Sequence, residues 1–327
     1  MRFAGKGLNR RGFLALGGTA LFAAGTAARA APLAGLAGTA LGTGWSVALP
    51  AGADVAGLRE RLAALLDGID YAFSPFRPES AIGRFNAGAD TEAAVPGEVV
   101  EVTRAALAIA GASGGAFDPT VGPLVARWGF GPIRAGETTA GGWRGIHAGN
   151  GHLARDRQGL TLDLCGIAKG HALDRMAALL RDAGHEDFLI DLGGELSARG
   201  RHPSGRAWRV GIEDPRPGAE GLAAVLDLAG MAVATSGDRV NGYDLGGRRY
   251  SHIIDPAEGE PVESAPASVS VLMPTGREAD GWATALMAAG AAGPALASRQ
   301  GIPALFLFRA GGSLRRVATG TFERHLA

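Results

Sequence analysis

Lysine is almost missing from this chain: only Lys6 and Lys169 occur in 327 residues, and every other fixed positive charge is arginine. Cysteine occurs once, at Cys165, so no internal disulfide can form. A membrane-spanning helix needs ~20 apolar residues. The uncharged stretch 13–28 is too short and too glycine-rich to supply one. An excess of basic charge is lacking as well, since 32 Lys and Arg balance 32 Asp and Glu. Residues 1–30 hold Arg2, Lys6, Arg10, Arg11 and Arg29 and no acid, so without them 27 positive residues face 32 negative ones. That balance excludes the basic footprint of a nucleic-acid binder.

What is present begins with a targeting segment. Asn9-Arg10-Arg11-Gly12-Phe13-Leu14 is similar to a twin-arginine export signal, and Ala28-Arg29-Ala30 is a small-x-small cleavage site. The expected organisation is a signal peptide over 1–30 and a mature domain over 31–327, delivered to the periplasm. An uncleaved anchor is the alternative. No cysteine stands directly after the cleavage site, so no lipid anchor is expected. At 46% hydrophobic residues, the remainder is globular in composition, and its length allows one large domain or two intimate ones.

Removal of the leader leaves Lys169 as the single lysine. A compact ammonium and a planar guanidinium are not equivalent, so its survival in an arginine-only chain marks its surroundings. Residues 160–164 (Leu-Thr-Leu-Asp-Leu) alternate like a strand, Gly166 breaks the pattern, and residues 167–180 carry apolar side chains at helical spacing. A strand, a glycine turn and a helix start aim N–H groups at one point, which suits a phosphate. The GxxxxGK[ST] phosphate loop is absent. An ordinary strand-to-helix turn with a surface lysine fits the same spacing. Cys165 reads as a small buried residue beside this turn.

Along the chain, a Gly/Ala-rich linker precedes a first strand at 41–49. A helix is expected over 54–73, with Asp54 as N-cap and Val55, Leu58, Leu62, Leu65, Ile69 and Phe73 as its apolar stripe. A second helix covers 96–112. Ala116-Phe117-Asp118-Pro119 and Trp128-Gly129-Phe130 put rings in stiff turns, where they can pack a core or flank a flat ligand. Strands follow at 187–192, 208–213, 223–228, 231–235, 248–254 and 268–273, and the last at 303–309. Alternation in the 248–254 strand puts Tyr250, His252 and Ile254 on one face.

A helix opening near Thr275 carries Asp280 and Thr284 four residues apart, hence on one face. Two hard oxygen ligands, completed by carbonyls and phosphate, suit Mg²⁺ better than zinc. The competing reading is an acid near a helix N-terminus with a threonine bonded back to its own helix.

Several motifs occur together and in order. They are Phe76-Arg77-Pro78-Glu79-Ser80 with Phe85-Asn86, Ala116-Phe117-Asp118 with Val121-Gly122-Pro123, Trp128-Gly129-Phe130, and residues 163–170. Asp191-Leu192-Gly193-Gly194-Glu195, Thr235-Ser236-Gly237-Asp238, Ser251-His252-Ile253-Ile254-Asp255-Pro256 and Glu278-Ala279-Asp280 to Thr284 follow. The set, spanning about residues 41–308, resembles the ApbE family of FAD:protein FMN transferases.

The resemblance implies an α+β fold, with mixed β-sheets flanked by helices and an FAD cleft between two lobes. It implies a Mg²⁺-dependent reaction in which the FMN half of FAD moves to a threonine hydroxyl of a target protein and AMP leaves. Metal ligands would be Asp280, Thr284 and the backbone oxygens of Gly166 and Ala283. FAD contacts would come from Leu41, Phe76, Ala116, Phe117, Asp118, Asp163, Lys169 and Ile254. Lys169 would also neutralise the pyrophosphate, and His252 would be the general base. The acceptor would be a periplasmic or membrane-bound redox protein.

This chain departs from the family pattern at Leu41, where Met is frequent, at Phe76, where Tyr is usual, and at Cys165, where a smaller residue is common. An FAD pyrophosphatase giving FMN and AMP, or a non-catalytic periplasmic flavin-binding protein, are the competing functions.

Overall fold

The computed structural model describes residues 32–239, 242–245, 248–262 and 266–327. The expected signal peptide over 1–30 lies outside the described residues. The chain opens with β1 (Leu33–Ala40), β2 (Thr43–Pro50), α1 (Leu58–Phe73), α2 (Ala81–Ala87), β3 (Glu92–Ala94), α3 (Gly97–Ala112) and α4 (Gly122–Arg127). Next come β4 (Ile146–Gly149), β5 (His152–Arg155), α5 (Cys165–Asp182), β6 (Phe188–Leu192), β7 (Glu195–Arg199), β8 (Trp208–Glu213) and β9 (Leu222–Leu228). Then follow β10 (Met231–Gly237), β11 (Gly242–Leu245), β12 (Arg248–Ser251), β13 (Ile254–Asp255), β14 (Glu260–Pro261) and β15 (Ser268–Met273). The chain closes with α6 (Gly276–Ala288), α7 (Gly293–Gln300), β16 (Ala304–Ala310) and β17 (Ser313–Thr319).

An eight-stranded sheet in the order β1-β2-β6-β7-β10-β15-β16-β17 organises the molecule. The α+β class and the flanking helices stand as expected. The strand directions are simpler than the expected mixture, because every ladder among the described residues is antiparallel.

Side-chain alternation divides the apolar residues of the sheet between two cores. Ala232 and Ala234 of β10, Val269 and Val271 of β15, and Phe306 of β16 face α1, α3, α5 and α6. Val233, Leu272, Leu305 and Leu307 face the opposite way, against Trp208, Val210 and Ile212 of β8 and Leu226 and Leu228 of β9. Burial on both faces explains why the central strands read as nearly continuous apolar runs. Helix α6 is also buried almost all round, Asp280 included, as expected of a helix covered by neighbours on every side.

Several local expectations are corrected. The Gly/Ala segment before residue 41 is a strand, β1, paired with β2 along its whole length. Small residues suffice there because β1 is a sheet edge, and its partner supplies the hydrogen bonds. Helix α1 begins at Leu58 rather than 54; its N-cap is Gly57, while Asp54 accepts the Ala56 N–H in a local turn at 3.0 Å. Leu66, not Leu65, is the fully buried member of the stripe. Strand β17 follows the one expected to be last and pairs with it throughout.

Candidate active site

The Lys169 segment is built differently from the strand–glycine–helix expectation. Residues 160–164 form no strand. Their backbone groups are taken by side chains and by a neighbouring turn. Asn86 accepts the Leu162 N–H at 2.7 Å and donates to Leu162 O at 2.8 Å; Arg155 Nη1 donates to Leu160 O at 2.9 Å. The Asp163 N–H reaches Pro119 O at 2.7 Å. Leu160, Leu162 and Leu164 are buried, and so is Thr161 at 5% exposure, which breaks the in-and-out pattern of a half-covered strand. Helix α5 starts at Cys165, so Gly166 lies in its first turn instead of before it. Cys165 itself is exposed rather than buried. Asp163 Oδ1 accepts its N–H at 3.0 Å, capping the helix.

Helices α5 and α6 cross backbone against backbone because glycines leave room. A Cβ on Gly170 would sit 2.1 Å from Gly276 O and 2.6 Å from the Cβ of Asp280. At that approach, the Gly170 N–H donates to Asp280 Oδ2 at 2.8 Å, and Thr284 Oγ1 donates to Gly166 O at 3.2 Å. Residues 166 and 170 form one i, i+4 pair of α5, and Asp280 and Thr284 address its two members from one face of α6. Thr284 therefore bonds across to the other helix, not back to its own. Asp174 of α5 fixes the crossing by accepting the N–H groups of Gly276 (2.6 Å) and Arg277 (3.0 Å). Thr275 completes this helix end, with its Oγ1 accepting the Glu278 N–H at 3.2 Å and donating to Glu278 Oε2 at 2.8 Å. Ala283 is fully buried beside these groups.

Lys169 is bonded to one carboxylate and feels the charge of a second, Asp280. Its Nζ is 2.5 Å from Glu195 Oε1, and Glu195 is almost wholly buried. Glu195 is not among the site residues that the resemblance implies, although its Asp191–Glu195 motif is conspicuous. A strand end, two glycines and an acid were the available signal. Burial lowers the Lys169 pKa, but Glu195 and Asp280 more than offset this, so the ammonium is held above its ordinary value. Glu195 is raised to about 7 overall: burial pushes it up, Lys169 pulls it back and Asp280 adds to the rise. Burial also raises Asp280, against the pull of Lys169 and the Gly170 N–H. Two buried acids thus face one base whose side chain keeps 35% exposure. Glu195 Oε2 is buried with no hydrogen-bond partner among the described residues.

The turn at 116–123 packs on this crossing. Phe117 is buried, and a Cβ on Gly166 would lie 3.2 Å from its ring. Asp118 is buried with its oxygens committed: Oδ1 accepts from Thr120 N (2.8 Å) and Thr120 Oγ1 (2.6 Å), and Oδ2 accepts from Gly141 N (3.1 Å). Burial raises its pKa against those bonds. Asp118 therefore builds the turn. A depression of about 140 Å³, lined by Gly114, Gly115, Gly141, Trp143 and Pro256 among others, adjoins it.

Leu41 holds the β1–β2 turn with φ of 51°. Thr43, two residues on, packs against Gly193, where a Cβ would meet its Oγ1 at 2.6 Å. The Leu41 turn is thereby tied to the Gly193–Gly194 turn that leads to Glu195. Phe76 is different: it is 56% exposed, on a loop whose anchors run to the first helices. Arg77 pairs with Asp70 at 2.5 Å, and Ser80 Oγ donates to Ser74 O at 2.7 Å.

His252 does not lie on a continuous strand. β12 ends at Ser251 and β13 begins at Ile254, so Tyr250, His252 and Ile254 do not share one strand face. The Ser251 hydroxyl accepts the Ile253 N–H at 3.1 Å, breaking the extended run at His252. Ile254 is buried and pairs with Pro261. The half-buried His252 ring meets Phe130 edge-on at 6.2 Å. Phe130 stacks on Tyr243, Tyr243 on Tyr250, and Tyr250 on Trp128. Trp128 donates to Gly259 O at 2.9 Å. The rings of the Trp128–Phe130 loop thus brace the segment that carries His252.

The fold is shared with known proteins. The ApbE family model matches residues 41–306. The chain belongs to the ApbE family. A curated relative from Klebsiella pneumoniae, named FAD:protein FMN transferase, is 37% identical over 78% of each chain. One of the same name from Salmonella typhimurium is 34% identical over 89% of each. The solved flavin transferase ApbE of Vibrio cholerae superposes with a TM-score of 0.80 at 31% identity, covering 90% of this chain and 100% of that one. The apo flavinyl transferase ApbE of Pseudomonas stutzeri does so with a TM-score of 0.80 at 34% identity, covering 90% of this chain and 96% of that one. In this ApbE-family chain the described residues contain no cluster of three or more His, Cys, Asp or Glu that could hold a metal. Any cation at the α5–α6 crossing would therefore rely on one carboxylate with hydroxyl and carbonyl oxygens.

Proposed function

We propose that this chain is an FAD:protein FMN transferase that moves the FMN half of FAD to a threonine hydroxyl of an acceptor protein, releasing AMP. The observation that carries the reading is the α5–α6 crossing, where Asp280, Thr284, the Gly166 carbonyl and Lys169 converge. A Mg²⁺ ion would be held by Asp280, Thr284 and the backbone oxygens of Gly166 and Ala283. The fit is chemical: all donors are hard oxygens, and Asp280 and Glu195 outnumber Lys169 in a buried volume that gains from one more cation. When bound, the ion supplies neutralisation of pyrophosphate charge.

The protein's own groups account for the rest. Lys169, its ammonium held above the ordinary lysine range by Glu195 and Asp280 against burial, presents its charge to the phosphates. The 116–123 turn and the Leu41 and Ile254 segments hold the dinucleotide, so that transfer becomes a matter of alignment more than covalent help. His252 takes the proton of the incoming threonine hydroxyl. Ring stacking along Trp128, Tyr250, Tyr243 and Phe130 fixes its segment. No helix among the described residues is long and apolar enough to cross a membrane. With the twin-arginine motif at Arg10-Arg11, the reading places the enzyme in the periplasm, acting on an exported or membrane-bound redox protein.

Incubating the purified chain with FAD, Mg²⁺ and an acceptor domain, followed by mass spectrometry, tests this. FMN attached to an acceptor threonine is the expected product. Free FMN and AMP with an unmodified acceptor would replace transfer by hydrolysis.

A further inference from the structure

Two buried carboxylates act on the Lys169 ammonium, and only one of them is a candidate cation ligand. Asp280 accepts the N–H of Gly170, the residue next to Lys169, so its carboxylate lies beside the lysine backbone. Its charge acts on the same ammonium as that of Glu195. The ammonium is nevertheless bonded to Glu195. Glu195 begins β7, held between β6 and β10 in the main sheet, so its position is set by the fold and not by the lysine.

We infer that Glu195 is a positioning residue that draws the Lys169 ammonium away from Asp280 and so keeps Asp280 open to a divalent cation. One oxygen of Asp280 is taken by the Gly170 N–H, leaving the other for either a cation or an ammonium. An ammonium there would occupy the ligand atom and add like-charge repulsion against an arriving cation. Glu195 removes both obstacles while keeping the positive charge within reach of the phosphates. The inference rests on the cation reading above.

The experiment follows thermal unfolding of the purified full chain as Mg²⁺ is titrated, a readout of binding that needs no turnover. The wild type should be stabilised saturably, and Asp280→Ala should not respond. Glu195→Ala should need about tenfold more Mg²⁺ for half-saturation, or roughly 1.4 kcal/mol, because Lys169 turns to Asp280. Glu195→Gln, which keeps size and one acceptor oxygen, should show a smaller increase. The deciding variant is the double substitution Glu195→Ala with Lys169→Ala. With no ammonium left to compete, its half-saturation should return toward the wild-type value.

A double variant that binds Mg²⁺ no better than Glu195→Ala overturns the inference, as does Glu195→Ala binding like the wild type while Asp280→Ala does not respond. If Glu195→Ala does not fold, Glu195→Gln with and without Lys169→Ala makes the same comparison. If the wild type shows no Mg²⁺ response, the cation reading fails and the inference falls with it.

Discussion

Adding one methyl group to Gly170 should uncouple the two helices that make the site. The Cβ would meet Gly276 O at 2.1 Å and the Asp280 Cβ at 2.6 Å, whereas real Cβ atoms stay beyond 3.0 Å of such neighbours. The obstructing atoms are backbone and a buried Cβ, so no flexible side chain can swing aside. Helix α6 must move away from α5. Overpacking of this kind costs ~1–3 kcal/mol. Stretching the 2.8 Å bond from Gly170 N to Asp280 leaves a buried carboxylate short of a donor, for a further ~1–3 kcal/mol. Alanine's better helix propensity returns only about 1 kcal/mol. The net expectation for Gly170→Ala is a loss of roughly 1–5 kcal/mol.

Gly68→Ala is the matched control. It lies inside α1, and a Cβ there has nothing within 4 Å, so the propensity gain stands alone and the variant should be stabilised by about 0.5–1 kcal/mol. Urea denaturation midpoints at unchanged slope measure both. The close-approach reasoning is refuted if Gly170→Ala is as stable as the wild type, or if the two alanines shift the midpoint in the same direction.

Three further outcomes bear on the chemistry. Lys169→Arg should lose most transfer activity, because a planar guanidinium is broader than the ammonium bonded to Glu195; a fully active variant would remove the significance of a lysine at this position. His252→Ala should bind FAD nearly as well as the wild type, as followed by flavin fluorescence, while transfer falls by roughly 10²–10⁴-fold; parallel loss of binding would make His252 a binding residue. Asp280→Ala, and the wild type in excess EDTA, should both lose turnover, with a transition-state deficit on the order of several kcal/mol; full activity in either would exclude a role for the cation.

Features that depend on near neighbours were legible in the chain alone. Helices α3 and α6 lie within a residue or two of where their apolar spacing puts them, because 3.6-residue periodicity and local end signals act within one turn. Strands β6, β8 and β15 likewise follow their own runs. The Asp280 and Thr284 spacing set both oxygens on one helical face in advance. Tertiary structure decided what those groups meet. Residues 160–164 have a strand's alternation, but their hydrogen bonds go to Asn86, 76 residues from Leu162, to the Arg155 side chain and to a turn. β1 has almost no strand signal of its own and exists because β2 offers a ladder. Asp118 stands in a stiff turn in the sequence, and the folded chain decides that its oxygens accept from Thr120 and Gly141. Above all, the bond between Lys169 and Glu195 joins residues 26 apart on a helix and a strand. A charge burial that favours such a pair is a property of the packed volume around it, which no local pattern of residues encodes.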